Sequence, residues 1–107
     1  MTNQFGTRIK QLREDGMLLQ KHVADRLHID SPMLSKIERG DRKAKKQQIE
    51  LFAQALQADG EELLTLWLAD LLLEIVAGEQ LGLKAINFAG EQIRNRLKDN
   101  LLLTNGL

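Results

Sequence analysis

Residues 18–42, LLQKHVADRLHIDSPMLSKIERGDR, contain the clearest local signal for the fold. Apolar residues recur in it at helical spacing on both sides of a short connection, namely Val23, Ala24, Leu27, Leu34 and Ile37. Asp30 can cap the second of these helices, and Pro32 is tolerated in a first turn, where an amide proton has no intrahelical partner. The stretch therefore predicts two short helices, near residues 19–27 and 31–39, joined by a tight turn.

The rest of the chain has the same helical periodicity, with a single proline and no sustained alternation of β-branched residues. Apolar stripes predict helices over residues 4–14, around 49–56 and over 86–97. Another helix should begin near Gly60, where Asp59 and Glu62 resemble a capping box. It is apolar around most of its circumference, so it must be buried on more than one side. We predict an all-α fold.

The composition limits the classes of protein to which the chain can belong. A chain of 107 residues can build one compact core, and the absence of cysteine excludes disulfides and thiolate metal sites. Residues 63–73 are too short to span a bilayer, and a helix lying on a membrane would carry Lys or Arg on its polar face, where this one has Asp70, Glu74 and Glu79. We expect a cytoplasmic protein that does not bind membranes, and that joins the nucleoid if it binds DNA.

The distribution of charge is uneven although the net charge is zero. Residues 1–46 hold eleven Lys/Arg and six acids, a net charge of +5, and residues 47–107 hold four and nine, a net charge of −5. A basic half can face phosphate, and an acidic half is repelled by it. Two short helices joined by a tight turn inside the basic half are typical of DNA binding, because the second helix can enter the major groove.

The spacing of particular residues sharpens this interpretation. Residues 18–42 resemble the helix-turn-helix of Cro and the phage repressors, known as the XRE family. The matching positions are Leu18, Gln20, Val23, Ala24, Leu27, Ile29, Leu34, Ser35, Ile37, Glu38 and Gly40. The resemblance extends over about residues 4–68. It departs from the family at Leu19, where a Ser or Thr cap is usual, and at His28, where Gly is usual. Histidine can adopt the left-handed backbone that the turn needs.

The resemblance implies a role for each of three groups of residues. The outer face of the second helix of the motif would contact bases, through Ser31, Pro32, Met33, Ser35 and Lys36. Phosphates would be contacted by Gln20, Lys21, Arg39, Arg42, Lys43, Lys45 and Lys46. An ion pair between Arg13 and Glu38 would orient the recognition helix from within. The side-chain chemistry agrees, since Lys36 can reach guanine acceptors and Pro32 or Met33 can touch a thymine methyl.

Other chemistry has little support. His22 and His28 are six residues apart and lack further ligands nearby in the sequence, so we predict no metal site and no cofactor. No phosphate-binding glycine loop or paired acid motif occurs, and we predict that the protein is not an enzyme.

The second half of the chain is predicted to form a dimer. The prediction assigns residues 1–68 to the DNA-binding domain and 69–107 to a helical extension. Operator binding in the resembled family requires two copies, and the apolar fifth helix has few other elements to cover it. The interface would consist of Leu64, Trp67, Leu68, Leu71, Leu72 and Ile75. The alternative is a core helix of a monomer, covered by the last helix.

The sequence thus indicates a five-helix repressor-like domain with a C-terminal helical extension. The resemblance implies a transcriptional regulator, a repressor or autoregulator, that binds palindromic double-stranded DNA as a homodimer. Residues 64–70, LTLWLAD, resemble small regulators associated with restriction-modification genes. Two alternatives stay open. One is a DNA-binding antitoxin whose C-terminal extension binds a partner protein, and the other is a protein-interaction module that has lost DNA binding.

Overall fold

The computed structural model describes residues 3–104, and the side chains of residues 3–101. It contains six α-helices and, within these residues, no strand, which confirms the all-α prediction. The helices are α1 (Gln4–Asp15), α2 (Gln20–Leu27), α3 (Ser31–Arg39), α4 (Ile49–Leu56), α5 (Gly60–Ile75) and α6 (Gly82–Thr104). A short 3-10 turn, Lys46–Gln48, leads into α4.

The ends of α2 and α3 follow from local chemistry. Asp30 caps α3, where its carboxylate accepts a 2.8 Å hydrogen bond from the Met33 amide. Leu19 provides no side-chain cap for α2, and His28 ends that helix with a left-handed φ of 58°. Gly40 ends α3 at φ 82°, a conformation that glycine adopts without strain. The turn between the two helices is therefore short and sharply defined.

A single core joins α1 to α5. Its fully buried side chains include Ile9, Leu34, Phe52 and Leu63, and Phe5 meets Phe52 edge to face with ring centroids 5.4 Å apart. Gly6 lets α1 approach the end of α3, because a Cβ there would lie 2.5 Å from the Ile37 carbonyl oxygen. Close backbone packing thus holds the first helix against the third.

Asp70 ties the middle of α5 to the start of α1. Its carboxylate accepts hydrogen bonds from the backbone amides of Gln4, at 2.9 Å, and Phe5, at 3.0 Å. A negative charge is favoured at this end of a helix because the free amides point outward there. Asp70, which the sequence pattern placed on the polar face of this helix with Glu74 and Glu79, is buried.

The chain separates into two compact units, Met1–Glu74 and Ile75–Leu107. In the second unit, α6 carries no apolar side chain in the buried core, and five of its large apolar residues are more than half exposed: Leu83, Phe88, Ile93, Leu97 and Leu101. None of the helices formed by residues 3–104 combines the length and the apolarity needed to span a membrane. The division of the chain after residue 68 stays a prediction.

Candidate nucleic-acid interface

The two helices of the predicted motif, α2 and α3, are held by neighbours on their inner sides. Helix α3 packs against both α1 and α2, and α2 packs against α4. Leu34 and Ile37 of α3 and Val23 of α2 are buried in the shared core. The other side of α3 is consequently turned outward, which is the arrangement that entry into a DNA groove requires.

Glu38 is the buried centre of this arrangement. Its carboxylate receives two hydrogen bonds from Arg13, one from Nε at 2.7 Å and one from Nη2 at 3.1 Å. The side chains are 3% and 12% exposed, so water screens the pair little. The hydrogen bond to Glu38 raises the pKa of Arg13 and outweighs the opposing effect of burial. The resemblance implied an ion pair between these two residues, and the structure brings them into contact.

Two further amides complete the surroundings of Glu38. Gln20, at the start of α2, donates from Nε2 to the Glu38 carboxylate at 2.9 Å, and Asn3 donates from Nδ2 to the Glu38 backbone carbonyl at 2.9 Å. Arg13 also donates to the Leu18 carbonyl at 3.1 Å. The carboxylate therefore links α1, α2 and α3. Sequence reasoning missed both amide contacts, because the residues are 18 and 35 positions away.

The predicted phosphate role of Gln20 has to be reconciled with this contact. A glutamine amide has two N–H donors, and the bond to Glu38 uses one of them. The side chain is half-buried, so its second N–H can still reach a phosphate placed at the start of α2. Glu38 then orients the very amide that is predicted to contact DNA.

The predicted base-contacting residues differ in exposure. Pro32 and Lys36 are exposed, and Ser31 and Ser35 are half-buried on α3. Met33 is also half-buried and packs against the core, which limits how far it can reach outward. The Ser35 hydroxyl accepts a 2.8 Å hydrogen bond from Arg39 Nη1. Lys36 is thus the freest long side chain on the outer face.

The predicted phosphate-contacting residues after α3 form an exposed basic segment. Its members are Arg39, Arg42, Lys43, Lys45 and Lys46, and Lys21 of α2 is exposed as well. Arg39 Nε lies 3.1 Å from Asp41, with both side chains more than half exposed. Such exposed contacts are weak and are readily exchanged for phosphate.

Helix α5 anchors this basic segment, which sequence reasoning did not foresee. The Trp67 indole donates to the Ala44 carbonyl at 2.8 Å, and Lys43 Nζ lies 2.5 Å from Glu74. Ala44 is itself buried. The one available signal was the spacing of Leu63, Trp67 and Asp70, which puts the indole and a carboxylate on the core-facing side of α5.

The predicted dimer residues divide into two groups. Leu64 and Trp67 are partly buried and pack against the core of their own chain, and Leu71 is partly buried too. Leu68, Leu72 and Ile75 are 44%, 50% and 75% exposed. Three of the six residues predicted from the sequence therefore form an exposed apolar stripe on α5, and the other three are partly buried within their own chain.

Over the described residues, no group of three or more His, Cys, Asp or Glu is placed to hold a metal ion. His22 and His28 are both exposed.

Comparison with known proteins identifies one similarity. A protein-family model described as a helix-turn-helix domain matches residues 4–66, which is more than half of the chain. The matched region contains α1 to α4 and the first part of α5. No curated protein and no solved structure matches the chain.

Proposed function

Since the chain belongs to the helix-turn-helix domain family, we propose that it is a sequence-specific transcriptional regulator of the Cro and phage-repressor type. It binds a palindromic operator as a homodimer and acts as a repressor or autoregulator in the cytoplasm. Domains of this family bind DNA and are typically not enzymes. The narrower likeness of residues 64–70 to restriction-modification regulators belongs to the same proposal.

The observation that carries the proposal is the two-sided character of α3. On its inner side, Glu38 is 5% exposed and is held by Arg13 and Gln20. On its outer side, Lys36 is exposed and free to extend. A rigidly held helix with a free basic side chain suits readout of guanine O6 and N7 in the major groove, since base recognition requires fixed geometry.

Phosphate contacts come from the exposed basic segment that follows α3. Lys43 and Arg39 make ion pairs with Glu74 and Asp41 in the free protein, and phosphates would replace these exposed partners. Trp67 holds the segment close to the end of the recognition helix through its bond to Ala44. Contacts of this kind fix the register of the protein on the duplex and carry no sequence information.

Dimerisation is supported by the bare stripe of α5. Leu68, Leu72 and Ile75 recur at spacings of four and three residues and lie exposed in the single chain. In a two-fold dimer that buries this stripe, two copies of α3 about 34 Å apart would match one turn of B-DNA. A palindromic operator follows from that symmetry.

Two measurements test the proposal. Fragments selected from random duplex DNA would supply a site, and fluorescence anisotropy would then measure its affinity across a range of salt concentrations. We expect a steep linear fall of log affinity with log salt, with a slope of about −0.9 for each phosphate contacted. A scrambled duplex of equal length is the control. An affinity that does not change with salt concentration would refute the proposed function, and so would equal affinities for the selected and the scrambled duplex.

A further inference from the structure

Helix α6 carries an exposed apolar stripe along its length. Leu83, Ile93, Leu97 and Leu101 are 73%, 58%, 63% and 61% exposed. Together with the half-buried Ile86 they recur at helical spacing on one side of the helix. The helix is about 35 Å long for 23 residues, and an apolar stripe exposed along such a length is typical of an interaction surface.

The exposed stripe of α5, formed by Leu68, Leu72 and Ile75, is a second uncovered apolar surface. It is shorter than the stripe on α6, and it continues toward Leu64 at the start of α5. There, Leu64 lines an open groove with three carboxylates, Glu50, Asp59 and Glu61, and one basic residue, Lys46. An apolar stripe on α5 thus ends in a groove whose side chains are net acidic.

The charges of the two helices are complementary. Residues 47–81 contain seven acidic side chains and neither lysine nor arginine, and residues 82–107 contain four basic and two acidic ones. By helical spacing, Arg94 and Arg96 border the α6 stripe on opposite sides. A basic, apolar helix therefore stands in the same chain as an acidic, apolar one.

We propose that α6 of one copy packs along the α5 stripe of a second copy, and that the exchange is reciprocal about a two-fold axis. This inference rests on the proposed dimeric regulator and specifies which surfaces form the dimer. Reciprocal packing covers both stripes at once and sets Arg94 and Arg96 near the acidic groove. A stable interface needs about 800 Å² from each partner, which two stripes per copy are well suited to supply.

Pairing α6 with α6 fits less well. Such a pair would bring together two helices that each carry an excess of basic side chains. It would also leave the α5 stripe bare. Pairing α5 with α5 would leave the longer α6 stripe in water and would bring acidic surfaces together. Only the reciprocal arrangement joins opposite charges.

Cross-linking identifies which helices meet. The chain has no cysteine, so each introduced thiol is unique. Full-length chains carrying Leu68→Cys and Ile93→Cys, each with a tag of different mass, are mixed without DNA and treated with a short bismaleimide. We expect a mixed cross-linked dimer that forms in much higher yield than either like pair. Efficient cross-linking of Ile93→Cys alone or of Leu68→Cys alone would overturn the reciprocal arrangement.

Sedimentation velocity supplies an independent test. Ile93→Glu combined with Leu97→Glu should raise the dimer dissociation constant by roughly 100-fold or more, because it removes buried apolar surface and inserts charge. Phe88→Glu is the matched control on the opposite face of α6 and should leave the dimer intact. Circular dichroism should give the same helical content for all three proteins. A double variant that still dimerises like the wild type would overturn the proposal.

The outcomes separate this inference from the proposed function. A mixed cross-link in a protein that fails to bind DNA would support the inference and refute the function. Sequence-specific DNA binding by a protein whose cross-links join α5 to α5 would support the proposed function and refute the inference. A wild-type chain that is monomeric at tens of micromolar would overturn the inference and favour a partner protein for α6.

Discussion

Helices α3 and α6 are both amphipathic, yet they use their apolar sides differently. In α3, Leu34 and Ile37 are fully or almost fully buried within nine residues. In the 23-residue α6, Ile93 and Leu97 are more than half exposed. An amphipathic pattern therefore indicates that a helix needs a partner, but it does not indicate whether that partner is in the same chain.

Truncation of one leucine in each helix should reveal this difference most clearly. Leu34→Ala should lower the free energy of unfolding by about 3–5 kcal/mol, because it opens a cavity in a closely packed core. Leu97→Ala should change it by under about 0.5 kcal/mol in dilute solution, where the residue is exposed. Urea denaturation measures both, and equal losses would show that α6 is part of the same core.

An ion pair in each region gives the next largest contrast. Arg13→Ala should destabilise the protein by about 3 kcal/mol, because it leaves the carboxylate of Glu38 buried with one partner fewer. Arg94→Ala breaks a pair with Glu91 in which both side chains are about 60% exposed, and should cost under about 0.5 kcal/mol. Thermal unfolding checks the two. An unchanged melting temperature for Arg13→Ala would mean that Glu38 does not depend on it.

The hydrogen bonds from the start of α1 to Asp70 of α5 are predicted to stabilise the first unit. Asp70→Ala should cost about 1–3 kcal/mol, since the amides of Gln4 and Phe5 lose the carboxylate that accepts from them. Hydrogen exchange of those two amides should accelerate more than exchange in α4. Asp99→Ala, an exposed acidic change in α6, serves as the control and should leave both unaffected.

Two lysines of the first unit are predicted to affect DNA binding in different ways. Lys36→Ala should weaken the preferred operator by about 1–3 kcal/mol and relax the preference at one position of each half-site. Lys43→Ala should weaken all sequences equally and reduce the salt slope by about one. Lys98→Ala in α6 is the control and should alter neither. Competition binding against single-base operator variants distinguishes these results. If Lys36→Ala lowered the affinity for every variant equally, Lys36 would not be a base-contacting residue.

Local features were accessible from the sequence because they depend on residues only a few positions apart. The spacing of Val23, Leu27 and Leu34 predicted α2 and α3, and Asp30 was identified as the cap that the structure contains. The left-handed turn at His28 was expected from the resemblance to a known family, which usually has glycine there, and the structure has φ 58° at this residue. Arg13 and Glu38 were paired through the resemblance to a known family, since nothing in their spacing alone brings them together.

Tertiary structure decided everything that depends on the path of the chain. Asp70 lies 66 and 65 positions along the chain from the two residues whose amides donate hydrogen bonds to it. Trp67 lies 23 positions from the residue whose carbonyl accepts its hydrogen bond. No periodicity encodes such distances. The local sequence around Gln20 does not indicate whether its amide faces solvent or Glu38. The packing of α2 against α3 places it next to the Glu38 carboxylate. The apolar side of each helix was predictable from the order of its residues, because periodicity depends only on neighbours. The fold alone decided which of those sides the chain could cover, because burial requires a second surface brought close in space.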